Sequence, residues 1–188
     1  MSLSFVDISV VVPIAHGTEE LEAVAIVDIA RRAGFRVRIA GESSNVICSR
    51  GVRIAPDMLW SDLDESERFD AVVLPGGTEG TERFLSSEEI CHLVRSHAAE
   101  GALIGAICAA PLVLHHVGIL PPSCAITSHP SVAEHLRHYD YRTDRVVQSG
   151  RIITSRGAGT AVEFALAIVA NLTDQEHART IAERIVAT

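Results

Sequence analysis

Close cysteine pairs are missing from this 188-residue chain. Its four cysteines stand at 48, 91, 108 and 124, none spaced as in a zinc knuckle or a redox dithiol. A basic excess is missing too. Lys plus Arg is 16 against 24 for Asp plus Glu, a formal net charge of −8. An acidic surface without a basic stripe repels phosphate backbones, which argues against nucleic acid as a partner. No apolar run approaches the ~20 residues that a membrane-spanning helix needs; the longest stretches are 10–15 and 161–170. The first residues carry no basic region, and the first apolar run ends in Thr18-Glu19-Glu20 rather than a small-residue cleavage site. No secretory signal is therefore read, and the thiols are expected to be reduced in the cytoplasm, an organellar location being left open. Repeats, low-complexity tracts and long linkers are absent as well. At ~100–200 residues per domain, residues 1–188 read as one domain.

What is present is alternation. Apolar β-branched runs at 8–14, 71–74 and 102–107 read as strands buried on both faces, each stopped by glycine or small residues. Helices are expected at 18–33 with Thr18 as cap, at 86–100 through a Ser86-x-x-Glu89 capping box, at 109–117, at 161–171, and after Asp174. Arg36–Ile39 alternates as a short strand, and residues 125–127 form another. Two hairpins are expected, one about Arg50-Gly51 and one about Ser149-Gly150, while 62–68 reads as a solvated acidic turn. Strands alternating with helices predict an α/β protein, with a mostly parallel sheet and helices on both faces. Ligands then bind at the carboxyl ends of strands, here just after Ile14, Leu74 and Ile107. The helix of residues 21–33 is apolar nearly all round, from Leu21 to Ala33, which predicts burial on every side. One face takes the sheet. The other is expected to take a second copy of the chain, with the chain's own last helix as the alternative.

The sharpest constellation is Gly105-Ala106-Ile107-Cys108-Ala109-Ala110-Pro111. A buried strand ends and a helix begins within two residues, and small neighbours flank Cys108. This is the logic of a nucleophile elbow with sulfur in place of a hydroxyl. Pro111 suits a first helical turn. At a helix N-terminus the thiol is expected to ionise more easily. Gly76 and Gly77 follow a second strand end, where backbone N–H groups can approach a ligand closely. Glu19 and Glu20 read as complements of the helix dipole. Glu22, followed by unbroken apolar sequence, is expected to be partly buried with a raised pKa, and so to be a usable acid or base.

Together these residues resemble the ThiJ/PfpI superfamily, and within it the DJ-one branch. The matching stretches are Gly17-Thr-Glu-Glu-Leu-Glu22, Cys48-Ser-Arg50-Gly-Val, Val72-Val-Leu-Pro-Gly-Gly77, Ala106-Ile-Cys-Ala-Ala-Pro111, His129-Pro130 and Thr154-Ser-Arg-Gly-Ala-Gly-Thr160 with Glu163-Phe-Ala-Leu-Ala-Ile after it. They run in family order along nearly the whole chain. The resemblance implies a flavodoxin-like three-layer sandwich and a homodimer through the first helix. It implies Cys108 as nucleophile, Glu22 as its carboxyl partner and His129 nearby. Gly76, Gly77 and Ala109 would offer backbone N–H groups around the thiol, and Ser49 and Arg50 would line the entrance. Some departures narrow the branch. Ala109 follows the cysteine where peptidase-like and amidotransferase-like relatives place His or Gly. Ser131 follows His129-Pro130 where amidotransferases carry Glu, and Ala55 replaces a second hairpin thiol found in some members.

The implied activity is a glutathione-independent glyoxalase, taking small reactive dicarbonyls such as methylglyoxal to hydroxy acids, or a related protein deglycase. No hydride leaves in that chemistry and no Gly-x-Gly-x-x-Gly follows a strand, so no cofactor is expected. The alternative is a non-enzymatic sensor of oxidative stress, with chaperone activity, working through oxidation of Cys108 to sulfinate. Nine histidines suggest a metal site at first sight, yet His115-His116 and His135-x-x-His138 match no metalloprotease spacing, so no metal is expected.

Overall fold

The structure, a computed structural model, describes residues 8–64 and 66–187. The first seven residues, on which part of the signal-peptide reading rests, and Glu65 of the acidic turn lie outside the described residues.

The chain runs β1 (Ser9–Ile14), α1 (Glu20–Arg32), β2 (Arg36–Gly41), β3 (Val46–Ile47), β4 (Arg53–Ile54), β5 (Met58–Leu59), β6 (Ala71–Leu74), α2 (Thr78–Ser86), α3 (Glu88–Ala99), β7 (Leu103–Ile107), α4 (Pro111–His116), β8 (Ala125–Ile126), β9 (Asp140–Tyr141), β10 (Val146–Ser149), β11 (Ile152–Ser155), α5 (Ala161–Leu172) and α6 (Gln175–Arg184). Seven strands form one sheet in the order β10-β11-β7-β6-β1-β2-β5, and every pairing in it is parallel except β10 with β11. The expected α/β architecture, a mostly parallel sheet with helices on both faces, is the observed one. The strand order turns outward in both directions from β1 and β6, which makes the carboxyl ends of these strands a crevice.

Strand β1 is fully buried because alternate side chains enter different layers. Val10, Val12 and Ile14 pack with α1, α5 and α6 through Ile26, Phe164 and Ile181, while Val11 joins Phe84, Ile90 and Leu114 on the opposite face. Among the described residues, no helix is long and apolar enough to cross a membrane.

Several local expectations shift. Thr18 does not cap α1; its Oγ1 accepts the Ala15 amide at 2.9 Å, and Glu19 caps the helix by accepting the Leu21 amide at 3.0 Å. The cap before α3 is Ser87, which accepts the Ile90 amide at 3.2 Å, because α2 fills the preceding residues, where no helix is expected. Strand β8 pairs with β9 outside the main sheet. Helix α1 is not buried all round within the chain: its inner face packs on α5 and the sheet, whereas Leu21 is 64% and Val24 52% exposed.

Candidate active site

Three strand ends converge. After β7 the chain turns through Cys108, which has φ 65°, a left-handed conformation that a side chain with a Cβ rarely adopts. The turn is pinned on both sides: the Cys108 amide donates to Ser155 O at 3.0 Å, and its carbonyl accepts the His129 amide at 2.8 Å. Helix α4 starts only at Pro111, so the thiol does not sit at the N-terminus of the helix expected from residue 109. The amides of Gly77 and Ala109 act on the sulfur instead, both favouring its anion.

After β6, Gly76 and Gly77 pass close beneath the thiol. A Cβ on Gly76 would lie 2.6 Å from Cys108 Cβ and 2.7 Å from Ile107 O, so only glycine fits. The Gly76 amide, expected as a donor beside the thiol, donates to Glu22 Oε2 at 2.7 Å. Its task is to hold the carboxyl. Gly77 has φ 92° and a Cβ there would strike Gly17 O at 2.2 Å; it forms the N-cap of α2.

Glu22, in the first turn of α1, is fully buried, and among the described residues its Oε1 has no hydrogen-bond partner. Burial raises its pKa to about 7, the Gly76 amide opposing and the neighbouring charge of Glu19 adding to the rise. Cys108 is pushed up to about 12, first by burial and then by the Glu22 charge, with the Gly77 and Ala109 amides pulling down. The easily ionised thiol expected from a helix N-terminus is therefore replaced by a coupled pair. Thiol and carboxyl hold one proton between them from near pH 7 upward.

His129 faces the same space. Its Nδ1 accepts the Ser131 amide at 3.2 Å and lies 2.8 Å from Ser131 Oγ, which places the proton of the neutral ring on Nε2. The point where a Cβ of Gly157 would stand is 3.5 Å from His129 Cδ2 and 4.0 Å from both Cys108 Sγ and Glu22 Oε1. Gly157 thus bounds the spot where the three groups meet. The cavity holding them measures about 480 Å³, with Ser49, Arg50, Gly77 and Ala109 in its wall.

Sequence reasoning missed Gly17, Glu19, Thr78, Glu79, Ser131 and Ala158 as wall residues, and Gly157 beside Cys108 and His129. The rule that singled out the ends of β1, β6 and β7 also applies to β11, which pairs parallel with β7. Its end passed unnoticed because residues 151–155 read as one arm of a hairpin. Among the described residues no group of three or more His, Cys, Asp or Glu side chains is placed to hold a metal ion.

The fold is that of an α/β protein whose cysteine stands on a strained turn between a parallel strand and a helix. The sequence matches the DJ-1/PfpI family over residues 8–171, and the chain belongs to that family. It is 42% identical to protein dj-1beta of Drosophila melanogaster over 182 residues, 95% of this chain and 96% of the fly protein. The crystal structure of Drosophila melanogaster DJ-1beta superimposes with a TM-score of 0.90, at 41% identity, covering 95% of this chain and 97% of that one. A Caenorhabditis elegans relative named glutathione-independent glyoxalase DJR-1.2 is 39% identical over 161 residues, 84% of each chain.

Proposed function

We propose that the protein is a glutathione-independent glyoxalase with Cys108 as nucleophile, converting methylglyoxal and similar small 2-oxoaldehydes to 2-hydroxy acids. One observation carries this reading: Cys108 Sγ and the unpartnered Glu22 Oε1 face a single spot beside His129, inside a cavity large enough for such a substrate. The 39% identity to a worm protein named for that activity supports it.

The chemistry follows from the residues. The pair surrenders its first proton near pH 7, from Glu22, while the thiol, pushed up to about 12, keeps the other. The Glu22 carboxylate takes the thiol proton as sulfur attacks, and the Gly77 and Ala109 amides ease that transfer by favouring the sulfur anion. Sulfur adds to the aldehyde carbon, a C–S bond forms, and the carbonyl electrons move to oxygen. The same amides and His129 Nε2–H stabilise that oxyanion. Glu22 passes its proton to that oxygen and, now a carboxylate, takes the proton from the former aldehyde carbon and returns one to the neighbouring carbon through an enediol, leaving a thioester. Water cleaves the C–S bond and releases the acid. Aldehyde oxidation and ketone reduction occur within one molecule, so electrons balance without an external acceptor. The test is lactate formation from methylglyoxal without glutathione. Wild type should form it, while Cys108→Ser and Glu22→Gln should lose at least about a hundredfold in rate. Full activity in Cys108→Ser would refute the reading.

A second reading, oxidation sensing, draws on a different observation. Cys48, Cys91 and Cys124 are buried, whereas Cys108 is partly open. Peroxide would oxidise its thiolate to sulfenate and then sulfinate, with water leaving each time. Mass spectrometry after mild peroxide should find the added oxygen on Cys108, and an even spread over all the cysteines would count against a dedicated sensor.

The outward residues of α1 support a homodimer through this helix. Leu21, Val24, Ile47 and Val52 are the exposed large apolar side chains of α1 and of the β3–β4 hairpin beside it.

A further inference from the structure

Glu20, at the first position of α1, is only 7% exposed. By position it is a complement to the helix dipole. In the fold its carboxylate reaches across to the turn between β3 and β4. Ser49 Oγ donates to Oε2 at 2.8 Å, the Arg50 amide to Oε1 at 2.9 Å and to Oε2 at 3.1 Å, and the Val52 amide to Oε1 at 3.4 Å. Burial pushes this carboxyl up, but the hydrogen bonds outweigh burial, and the group stays ionised below the usual carboxylate range.

The hairpin needs such a hold. Strands β3 and β4 form a two-stranded sheet of their own, outside the main one. Backbone bonds from Gly17 N to Ile47 O and from Ser49 N to Thr18 O fix the incoming arm. Among the described residues, the hydrogen bonds on the Arg50 and Val52 amides come from Glu20. The consequence reaches the cavity. Arg50 is the one arginine in its wall, where Glu19, Glu22 and Glu79 also stand. Arg50 therefore brings the positive charge that offsets these carboxylates on the way to Cys108.

We infer that Glu20 is a positioning residue: its carboxylate holds the Ser49–Val52 turn so that the Arg50 guanidinium stands at the mouth of the Cys108 cavity, admitting anionic molecules in preference to their neutral counterparts. This rests on the reading of that cavity as the place where Cys108 meets its reaction partner.

The test compares alkylation of Cys108 by iodoacetate and by iodoacetamide, reagents that differ chiefly in charge. Removing the Glu20 charge would, by Coulomb's law alone, favour the anionic reagent. The inference predicts the opposite. In Glu20→Gln the iodoacetate-to-iodoacetamide rate ratio should fall about tenfold, the scale of one lost charge-assisted hydrogen bond. Arg50→Gln should give the same fall, and the double variant no further one. Amide exchange at Arg50 and Val52 should accelerate about tenfold or more in Glu20→Gln. An unchanged or raised ratio in Glu20→Gln, or losses that add in the double variant, overturns the inference. If Glu20→Gln does not fold, Glu20→Asp withdraws the carboxylate by one methylene, and an unchanged ratio there overturns it equally. Alkylation ratios need no turnover. Absence of lactate from wild type would sink the glyoxalase reading alone, and the ratios would still decide this one.

Discussion

Glu22 and Cys108 titrate as one unit, and this governs both stability and reactivity. In the folded chain Glu22 keeps its proton up to about pH 7, whereas an ordinary carboxyl releases it near 4.5. Between those values the folded state binds more protons than the unfolded one, so this group's contribution to stability is full below about 4.5 and is lost as pH rises toward 7. Glu22→Gln keeps an acceptor for the Gly76 amide and removes the titration. It should match wild type in denaturant melts near pH 4 and exceed it near pH 8 by a few kcal/mol, at about 1.4 kcal/mol per unit of displacement. The same variant should lose the inflection near pH 7 in the rate of Cys108 alkylation, where the wild-type pair gives up its first proton. At this scale the sequence was half legible. Cys108 stood out because an apolar strand run, small neighbours and Pro111 make an elbow whatever surrounds them. Its raised pKa did not, because the sign depends on burial and on a carboxyl 86 positions earlier in the chain, neither of which local spacing records.

Among elements, β7 carries the greatest constraint. It lies between β6 and β11, supports the Cys108 turn, and presents Gly105 to α5. A Cβ on Gly105 would stand 3.1 Å from Phe164 Cζ and 3.2 Å from both Ile168 Cδ1 and Val73 Cγ1, closer than neighbouring side chains settle. Gly105→Ala should therefore lower stability by about 1–3 kcal/mol through overpacking, read as a fall in denaturant midpoint at unchanged slope. Buried strands and strongly apolar helices were legible because their period is a property of the chain itself. Helix α2 was not. Its nine residues, TEGTERFLS, bury Phe84 and Thr81 but include a glycine and few apolar positions. Its glycine answers to a contact distant in sequence: a Cβ on Gly80 would lie 2.8 Å from Thr18 Cα, so the helix packs there only without a side chain.

For the molecule as a whole, assembly turns on the outward side of α1, where Leu21 and Val24 are exposed. We propose that Leu21 and Val24 meet a second copy of the chain, as the apolar periodicity of the helix suggests; apolar side chains exposed at 64% and 52% lose that contact with water only in an assembly. Light scattering of the wild type at micromolar concentration should give twice the chain mass, and Val24→Glu combined with Leu21→Glu should give the monomer mass without loss of helix content by circular dichroism. A monomeric wild type would remove the dimer and leave the site within one chain untouched, since Cys108, Glu22 and His129 all come from it.

The sequence by itself determined the layered α/β plan, the elbow at Cys108 and the family resemblance, because each is written in short-range pattern: two-residue and 3.6-residue periodicities and motifs of a few neighbours. The tertiary structure alone decided which donor serves which acceptor. Gly76 turned from the thiol to Glu22, Glu20 turned from the helix dipole to the Ser49–Val52 turn, and Gly157 came to stand beside Cys108. Each of those outcomes joins residues far apart in the chain, and hydrogen bonds and desolvation act through distances in space that no spacing along the sequence specifies.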